Sequence, residues 1–335
     1  MENTIGFIYR GPHHIHADFA RSIDADFINN WLLYKYKRIP IFLIPISFLI
    51  RLITLPKRDV YLCEDGYSLV LAYCKKLLSP NIKIMIIMAS PFYYDFANYK
   101  SYKKKVYQNF MDNVDYAFAV SNMLKESAKK YLKCPISVTN PYVDTKIFQK
   151  IVDIKNSNLC FIGQVSIKKG VDIILKSFKE VKKNFPKIKL NICGPIKDKI
   201  YGINNEGIIL SKTYVDPRPF IKNSLIFLFM PERDSFSTAV IEAMSAGLIP
   251  IVSNTTGSTE AVSKISNNLI IKRNSKCLTE KIIEILNLSF NEKQKLSKQA
   301  MSAANDYSKE KMIRGFKKTF EKAINECYSN SKEKK

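Results

Sequence analysis

Short apolar segments recur along the chain and alternate with segments of helical periodicity. In the first half they are rich in β-branched and aromatic residues and occupy positions 4–9, 59–63, 83–88 and 115–120. The pattern restarts in the second half, at positions 159–162, 189–193, 225–230 and 249–252. Strands that are apolar throughout are buried on both faces, and strands that alternate with helices form a parallel sheet covered by helices. The sequence therefore predicts an α/β protein with two Rossmann-like, doubly wound domains.

Chain length and the loss of strand character in the middle of the chain predict the domain boundary. A chain of 335 residues suits two domains of about 150 residues each. We expect an N-terminal domain over 1–150, a C-terminal domain over 151–310, and a C-terminal helix with a polar tail over 311–335. Helical spacing is found at positions 17–27, 67–78, 121–131 and 171–183. Ligands of such sheets bind beyond the carboxyl ends of the strands, which predicts a site in a cleft between the domains.

The chain is strongly basic, with 53 Lys and Arg against 30 Asp and Glu. Two explanations stay open, a solvated lysine surface or an anionic partner such as lipid headgroups or a phosphorylated substrate. Nucleic acid is not expected, because specific readers favour clustered arginines and no such motif occurs. The seven cysteines are scattered without a CxxC pair, which favours a reducing compartment. The N-terminus lacks the pattern of a signal peptide, so we expect a cytoplasmic location.

One stretch, over positions 39–55, is apolar except for Ser47, Arg51 and Thr54 and is flanked by lysines and arginines. It is short for a membrane span, and an arginine and two prolines interrupt it. Two interpretations stay open. The stretch is either a helix buried against the N-terminal sheet, or a helix lying in the interface of an anionic membrane. In the second case, three aromatic side chains would lie at headgroup depth: Trp31, Tyr34 and Tyr36.

Two carboxylates eight positions apart, Asp234 and Glu242, follow a predicted strand. On a helix they would share one side at about 12 Å, too far for a glycosidase pair acting on one bond. That span suits the two ends of a sugar nucleotide, and backbone N–H groups over 235–237 suit its diphosphate. Taken alone, the pattern is better explained by an N-cap at Asp234 and a solvated Glu242.

The surrounding residues change that interpretation. The segment EAMSAG, followed by IPIV and GSTE, closely resembles the E-x7-E region of retaining GT-B glycosyltransferases of glycosyltransferase family 4. Residues 161–194 resemble the family's block of a strand, G-R-x4-KG, a helix, a second strand and a glycine. Residues 114–148 resemble the segments that precede the link between the family's two domains. The resemblance covers most of residues 59–310 and implies a GT-B fold.

The resemblance implies a donor site in the C-terminal half. Glu242 would bind the ribose hydroxyls, and Asp234 stands where the family has a glutamate that contacts the donor sugar. Lys169 would compensate the charge of the diphosphate, whose oxygens would also meet the backbone amides of Ser235, Phe236 and Ser237. Gln164, after Gly163, replaces the family's arginine, so one cation of the site is lost. The neighbouring cations Lys168 and Arg233 are candidate substitutes.

In the N-terminal half, Gly11 alone represents the family's glycine-rich phosphate loop. Candidates for donor or acceptor contacts are His13, His14, Glu64 and Asp65, with solvated loop positions as the alternative for each. His16 completes the histidine group, which does not repeat on one helical face and so predicts no metal site. Asp24 and Asp26 form a DxD pattern. They fall in the predicted helix 17–27, where alternate side chains point apart and cannot chelate one ion.

Two functions are compatible with these residues. The first is a retaining, metal-independent hexosyltransferase without a cofactor, which moves a sugar from a nucleoside-diphosphate donor to a glycan or lipid-linked acceptor. Its role would be cell-surface polysaccharide or glycolipid assembly, in the cytoplasm or peripherally on the inner membrane face. The alternative is a catalytically inactive GT-B protein that binds a sugar nucleotide or acts as a membrane-surface scaffold. Gln164, Asp234 and the single loop glycine motivate this alternative.

Overall fold

The computed structural model describes residues 3–11, 13–29, 43–64, 66–149 and 151–332. The chain divides into two compact units. The first combines Met1–Asn140 with Met312–Lys335, and the second is Pro141–Lys311. The division therefore lies before the position expected near residue 150. The C-terminal segment, which the sequence sets apart, belongs to the first unit.

The first unit is built on a parallel sheet with the order β2-β1-β3-β4-β5-β6 in its described part. The strands are β1 Ile5–Tyr9, β2 Asp26–Asn29, β3 Val60–Cys63, β4 Lys83–Met88, β5 Tyr116–Ala119 and β6 Ile136–Val138. The helices are α1 His14–Ser22, α2 Leu43–Thr54, α3 Gly66–Leu78, α4 Phe92–Asp95, α5 Ser101–Met111 and α6 Asn122–Ala128, with a 3₁₀ helix at Phe96–Asn98. The direction of the strand order changes between β1 and β3.

The second unit is built on a parallel sheet with the order β12-β11-β10-β7-β8-β9. The strands are β7 Leu159–Ile162, β8 Leu190–Pro195, β9 Ile208–Lys212, β10 Ile226–Phe229, β11 Ile249–Ser253 and β12 Ile270–Ile271. The helices are α7 Thr145–Phe148, α8 Val171–Asn184, α9 Arg218–Lys222, α10 Thr238–Ala246, α11 Thr259–Val262, α12 Ser275–Asn287 and α13 Phe290–Ala304. Two 3₁₀ helices lie at Asn267–Leu269 and Asn305–Tyr307. This is the doubly wound order of dinucleotide-binding domains, with a switch point between β7 and β10.

All eight predicted strands are confirmed. The strands that the sequence pattern missed are β2, β6, β9 and β12, and each lies at an edge of its sheet. An edge strand has only one neighbouring strand and is less completely covered, so its sequence need not be a continuous apolar run. In β9, for example, no residue is fully buried.

The helix predicted over 17–27 is wrong at its C-terminal end. α1 ends at Ser22, Asp24 has a φ of 53°, and Asp26 begins β2. The helical argument against joint ligation by Asp24 and Asp26 therefore fails. Asp26 has another partner, because Arg58 Nε donates a hydrogen bond of 2.7 Å to its carboxylate.

The last helix, α14 Lys309–Lys332, returns to the first unit and extends into the polar tail. Phe316 and Phe320 are each 1% exposed. The ring centroid of Phe316 lies 4.6 Å from that of Phe19 in α1 and 5.3 Å from that of Phe118 in β5. α14 thus completes the core of the first unit.

The apolar stretch over 39–55 forms α2 from Leu43 onward. Its first four residues lie outside the described part of the chain, as do Trp31, Tyr34 and Tyr36. Among the helices that the structure describes, none has the length and hydropathy required to cross a bilayer.

Candidate functional site

In the second unit, the loops after β7 and β10 leave the sheet at the switch point. Gly163 follows β7 with a φ of 140°, and Gly194 lies beside it in β8 with a φ of 149°. A Cβ atom on Gly194 would lie 2.0 Å from the carbonyl oxygen of Gly163. The two backbones therefore approach closely, and only glycine fits at position 194.

A second glycine brings the loop before α8 against the end of β10. Gly170 precedes α8 with a φ of 77°, and a Cβ atom there would lie 1.8 Å from the carbonyl oxygen of Met230. The N–H of Glu232 also donates to the carbonyl oxygen of Lys168, at 2.8 Å. This packing brings the backbones of Lys168 and Arg233, the two candidate substitutes for the missing arginine, close together.

The same packing brings together Lys169 and Asp234, which are 65 positions apart. Lys169 Nζ lies 2.6 Å from Asp234 Oδ2, and the side chains are 35% and 10% exposed. Lys169 Nζ also lies 5.5 Å from the centroid of the Phe229 ring. The sequence predicted both residues for the site, but not this ion pair.

Asp234 is fixed by the loop that follows β11. Its N–H donates to the carbonyl oxygen of Thr255 at 3.1 Å, and its own carbonyl oxygen accepts from Gly257 N–H at 2.9 Å. Thr256 Oγ1 donates to its carboxylate at 3.3 Å. Sequence reasoning assigned no role to these three residues, although the GSTE segment begins among them. The alternative in which Asp234 caps the helix is wrong, because the N-cap of α10 is Ser237.

The N-terminus of α10 has no side-chain hydrogen bond from its N-cap. Ser237 N–H donates to Ser258 Oγ at 2.8 Å. Ser235 Oγ is buried and has no hydrogen-bond partner among the described residues. The ring of Phe236 packs 5.7 Å from that of Tyr307. The N–H groups of the first helical turn and the helix dipole therefore remain available to an anionic ligand.

Glu242 lies within α10 and is largely buried. Burial alone raises the pKa of its carboxyl group to about 7, with no contribution from a hydrogen bond or a charge in the described chain. The alternative of a solvated helix residue is therefore wrong. The expected helical separation of Asp234 and Glu242 does not apply either, because the chain is helical only from Thr238. A buried carboxylate of this kind can accept hydrogen bonds from ligand hydroxyls.

In the first unit, Glu64 joins the ends of β3 and α1. Glu64 Oε1 accepts from His13 N–H at 2.8 Å and lies 2.8 Å from His16 Nδ1. The Glu64 and His16 side chains are 11% and 9% exposed. His16 lies within α1 and is buried, so the alternative of a solvated loop position is wrong for His16, as it is for Glu64. His14 is the first residue of α1 and is exposed to solvent.

The three histidines lie close together at the switch point of the first sheet. The His13 ring centroid lies 4.4 Å from that of His14 and 5.5 Å from that of His16. Burial, followed by the proximity of the other two rings, lowers the pKa of His13. Gly11 is exposed, and Asp65 lies outside the described residues. In the parts of the chain that are described, no three His, Cys, Asp or Glu side chains cluster as metal ligands do.

Residues 143–303 match the family model of glycosyl transferases group 1. The capsular polysaccharide biosynthesis glycosyltransferase CapM of Staphylococcus aureus is 25% identical over 155 residues. That match covers 43% of this chain and 41% of CapM. The chain spans less than two thirds of the length of the curated relatives that it matches.

Solved structures share the fold over nearly the whole chain. A sucrose-phosphate synthase from Thermosynechococcus elongatus has a TM-score of 0.77 at 11% identity, with 96% of this chain and 99% of that chain covered. Anabaena HepE in complex with UDP and glucose has a TM-score of 0.72 at 11% identity, with the same coverage of 96% and 99%. The expected fold class, GT-B with two doubly wound domains, is confirmed.

Proposed function

We propose that the chain is a retaining glycosyltransferase of the family 4 type. It transfers a sugar from a nucleoside-diphosphate sugar to an acceptor hydroxyl and requires no metal ion. The observation that carries this proposal is the pairing of Lys169 with Asp234 at 2.6 Å, beside the N-terminus of α10 in a group 1 domain. The complex of HepE with UDP and glucose supports a nucleotide-sugar donor.

Hydrogen-bond donors hold the diphosphate end of the donor, and a hydrogen-bond acceptor holds its ribose end. Lys169 and the first N–H groups of α10 bind the diphosphate, while Glu242 accepts hydrogen bonds from the ribose hydroxyls. An ammonium group has three donors, so Lys169 can keep its bond to Asp234 and also bond a phosphate oxygen. Asp234 and the backbone over 235–237 bind the sugar, and Gly163 and Gln164 line the diphosphate. Because Gln164 carries no charge, Lys169 supplies most of the electrostatic stabilisation of the leaving group.

In the reaction, the bond between the anomeric carbon and the diphosphate oxygen breaks while the acceptor oxygen bonds to the same face of the sugar. The sugar passes through an oxocarbenium-like state, and the acceptor proton goes to a departing diphosphate oxygen. The acceptor in this proposal is a glycan or a lipid-linked glycan used in cell-surface polysaccharide or glycolipid assembly. The name of CapM, a capsular polysaccharide biosynthesis glycosyltransferase, supports the role in polysaccharide assembly. Such an acceptor fits a cytoplasmic protein at the inner membrane face. We also propose that His13, His14 and Glu64 contact the acceptor or the donor.

Calorimetric titration with UDP and GDP, and with their sugars, tests donor binding. Lys169→Ala and Glu242→Ala should each weaken binding at least about tenfold, since hydrogen bonds to charged groups contribute about 2 kcal/mol. Lys187→Ala, at an exposed position of the same unit, is the matched control and should bind as the parent does.

Transfer is then measured on glycan and lipid-linked acceptors, with and without a chelator, and the anomeric configuration of the product is read by NMR. Retained configuration and undiminished activity with chelator are expected. Full activity in both the Lys169 and Glu242 variants would refute the site. Donor binding without any turnover over the acceptor panel would favour the inactive scaffold.

A further inference from the structure

α2 turns polar side chains towards the unit and aliphatic side chains towards the solvent. This is the reverse of the usual arrangement in a helix of a water-soluble domain. Ser47 is 8% exposed and Leu55, just after the helix, is 2% exposed. Arg51 is partly buried on the same side, and its Nε atom has no hydrogen-bond partner in the described structure. This side of α2, with positions 47, 51 and 55 in line, faces the unit.

The outward side of α2 is aliphatic. Its exposed large side chains are Ile46 at 53%, Leu49 at 56%, Ile50 at 47% and Ile53 at 72%. We call these four residues the α2 stripe. Their spacing of three, one and three positions places them on one face of the helix. Soluble proteins expose single apolar side chains widely, but a contiguous row of four marks a surface that is covered in use.

Cations lie in the same layer of the first unit. α3 packs against both α2 and α5, so the three helices cover the sheet side by side. α5 contains Lys103, Lys104 and Lys105 in a row and no acidic residue. Lys57, after the end of α2, is exposed. Within the described ranges, none of these four lysines forms an ion pair.

α5 also exposes apolar surface beside its lysines. Tyr102 is 64% exposed and Val106 is 53% exposed, one helical turn apart. Aromatic and aliphatic side chains next to lysines are the composition of surfaces that lie at a lipid headgroup boundary.

We propose that the α2 stripe lies in the headgroup–acyl boundary of an anionic bilayer, with Lys57 and the α5 lysines on lipid phosphates. The inward position of Ser47 and Arg51 leaves a mainly aliphatic face for the acyl chains, with the exposed Thr54 at its edge. A second copy of the chain is a poorer occupant, because each copy carries a net charge of +23 and two copies repel. The proposal goes beyond the transfer reaction, since it assigns a partner to a surface outside the donor site.

The test is co-sedimentation with vesicles of phosphatidylglycerol and phosphatidylcholine, and with vesicles of phosphatidylcholine alone. Leu49→Gln/Ile53→Gln should lower partitioning into the anionic vesicles by about twentyfold, because each half-exposed aliphatic side chain contributes roughly a factor of five. Lys103→Gln/Lys105→Gln should lower it by a similar factor on anionic vesicles, since each lysine near the surface contributes about fivefold. It should have little effect on neutral ones.

The matched control is Ile147→Gln/Ile209→Gln, at two aliphatic positions of the second unit that are 50% and 46% exposed. It should sediment as the parent does. All the substituted side chains are exposed, and an unchanged thermal transition checks that each variant is folded. Gel filtration at the same concentrations detects self-association.

Equal partitioning of the stripe variant and the parent would overturn the proposal, as would failure of the parent to bind anionic vesicles. If the parent is a dimer and the stripe substitutions dissociate it, the α2 stripe is an interface with a second copy and not a membrane-binding surface. UDP titration of the same samples separates this result from the proposed function. Vesicle binding can fail while nucleotide binding persists, and nucleotide binding can fail while vesicle binding persists.

Discussion

The substitution Glu242→Gln should stabilise the protein at neutral and alkaline pH while it weakens donor binding. Burial raises the pKa of this carboxyl group from the usual 4.5 to about 7, so the folded protein binds the proton more tightly than the unfolded chain does. The ionised form is therefore destabilising, and an uncharged amide of the same shape removes that penalty. A stability gain with a functional loss is common where a site holds a strained or desolvated group.

The magnitude follows from the linkage between protonation and folding. Because the pKa of Glu242 is higher in the folded protein than in the unfolded chain, its contribution to stability is fully present below pH 4.5. This contribution is lost as the pH rises towards 7. The loss amounts to about 3 kcal/mol at pH 8 and about 1 kcal/mol at pH 5. The free energy of unfolding of Glu242→Gln should thus exceed that of the parent by about 2 kcal/mol more at pH 8 than at pH 5.

The measurement is urea unfolding of both proteins at pH 5, 6, 7 and 8, at constant ionic strength. The difference between the two proteins at each pH cancels every other titrating group. Glu280→Gln, at an exposed position of the same unit, is the matched control for the change from glutamate to glutamine. UDP titration at pH 8 supplies the second readout, with weaker binding expected for Glu242→Gln alone.

A difference that is the same at pH 5 and pH 8 would refute the reasoning, since it would show that the Glu242 carboxylate is solvated in the folded protein. A loss of stability at pH 8 would also refute it, because the ionised carboxylate would then have a stabilising partner. Stabilisation with unchanged UDP affinity would show that the Glu242 carboxylate is buried but does not bind the donor.

Three further substitutions test the packing, each by urea unfolding. Gly170→Ala should lose about 3 kcal/mol, because its Cβ atom would lie 1.8 Å from the Met230 carbonyl oxygen at a positive φ. Phe316→Ala should lose about 4 kcal/mol, since the ring is 1% exposed in the core of the first unit. Glu64→Ala should lose about 2 kcal/mol, because its carboxylate accepts from His13 N–H and contacts the buried His16.

Two control substitutions make the same residue changes at positions that are not closely packed. Gly315→Ala lies in α14 where a Cβ atom meets nothing within 4 Å, and it should gain about 1 kcal/mol. Phe290→Ala, at a side chain that is 50% exposed, should change stability by less than about 1 kcal/mol. An unchanged free energy of unfolding for Gly170→Ala or Phe316→Ala would contradict the close packing described for these residues. An unchanged free energy for Glu64→Ala would show that the hydrogen bonds of Glu64 do not stabilise the fold.

The central strands could be predicted from the sequence, because burial on both faces forces a continuous apolar run. The edge strands could not. β9 has no fully buried residue, and β2 begins with an aspartate that is paired to Arg58. The end of α1 was missed for a related reason, since Asp24 turns the chain in a left-handed conformation that aspartate tolerates without a glycine as a signal.

The candidate site was predictable where it follows local patterns and not where it depends on long-range contacts. The spacing of Asp234 and Glu242 and the loop at 235–237 are local features. The ion pair of Lys169 joins residues 65 positions apart, and the bonds of Glu64 to the histidines join residues 48 and 51 positions apart. Such pairs depend on where two loops leave a sheet, which residue composition alone does not encode.

The order in which the two units can mature differs from the order in which they are made. The second unit is one uninterrupted segment, Pro141–Lys311, whereas the first needs α14 from the far end of the chain. During translation, Phe19 and Phe118 emerge early and stay uncovered until Phe316 follows, after the whole second unit has been synthesised. The unit that begins first is therefore the last to finish, and its nascent form carries an aromatic surface that chaperones can recognise.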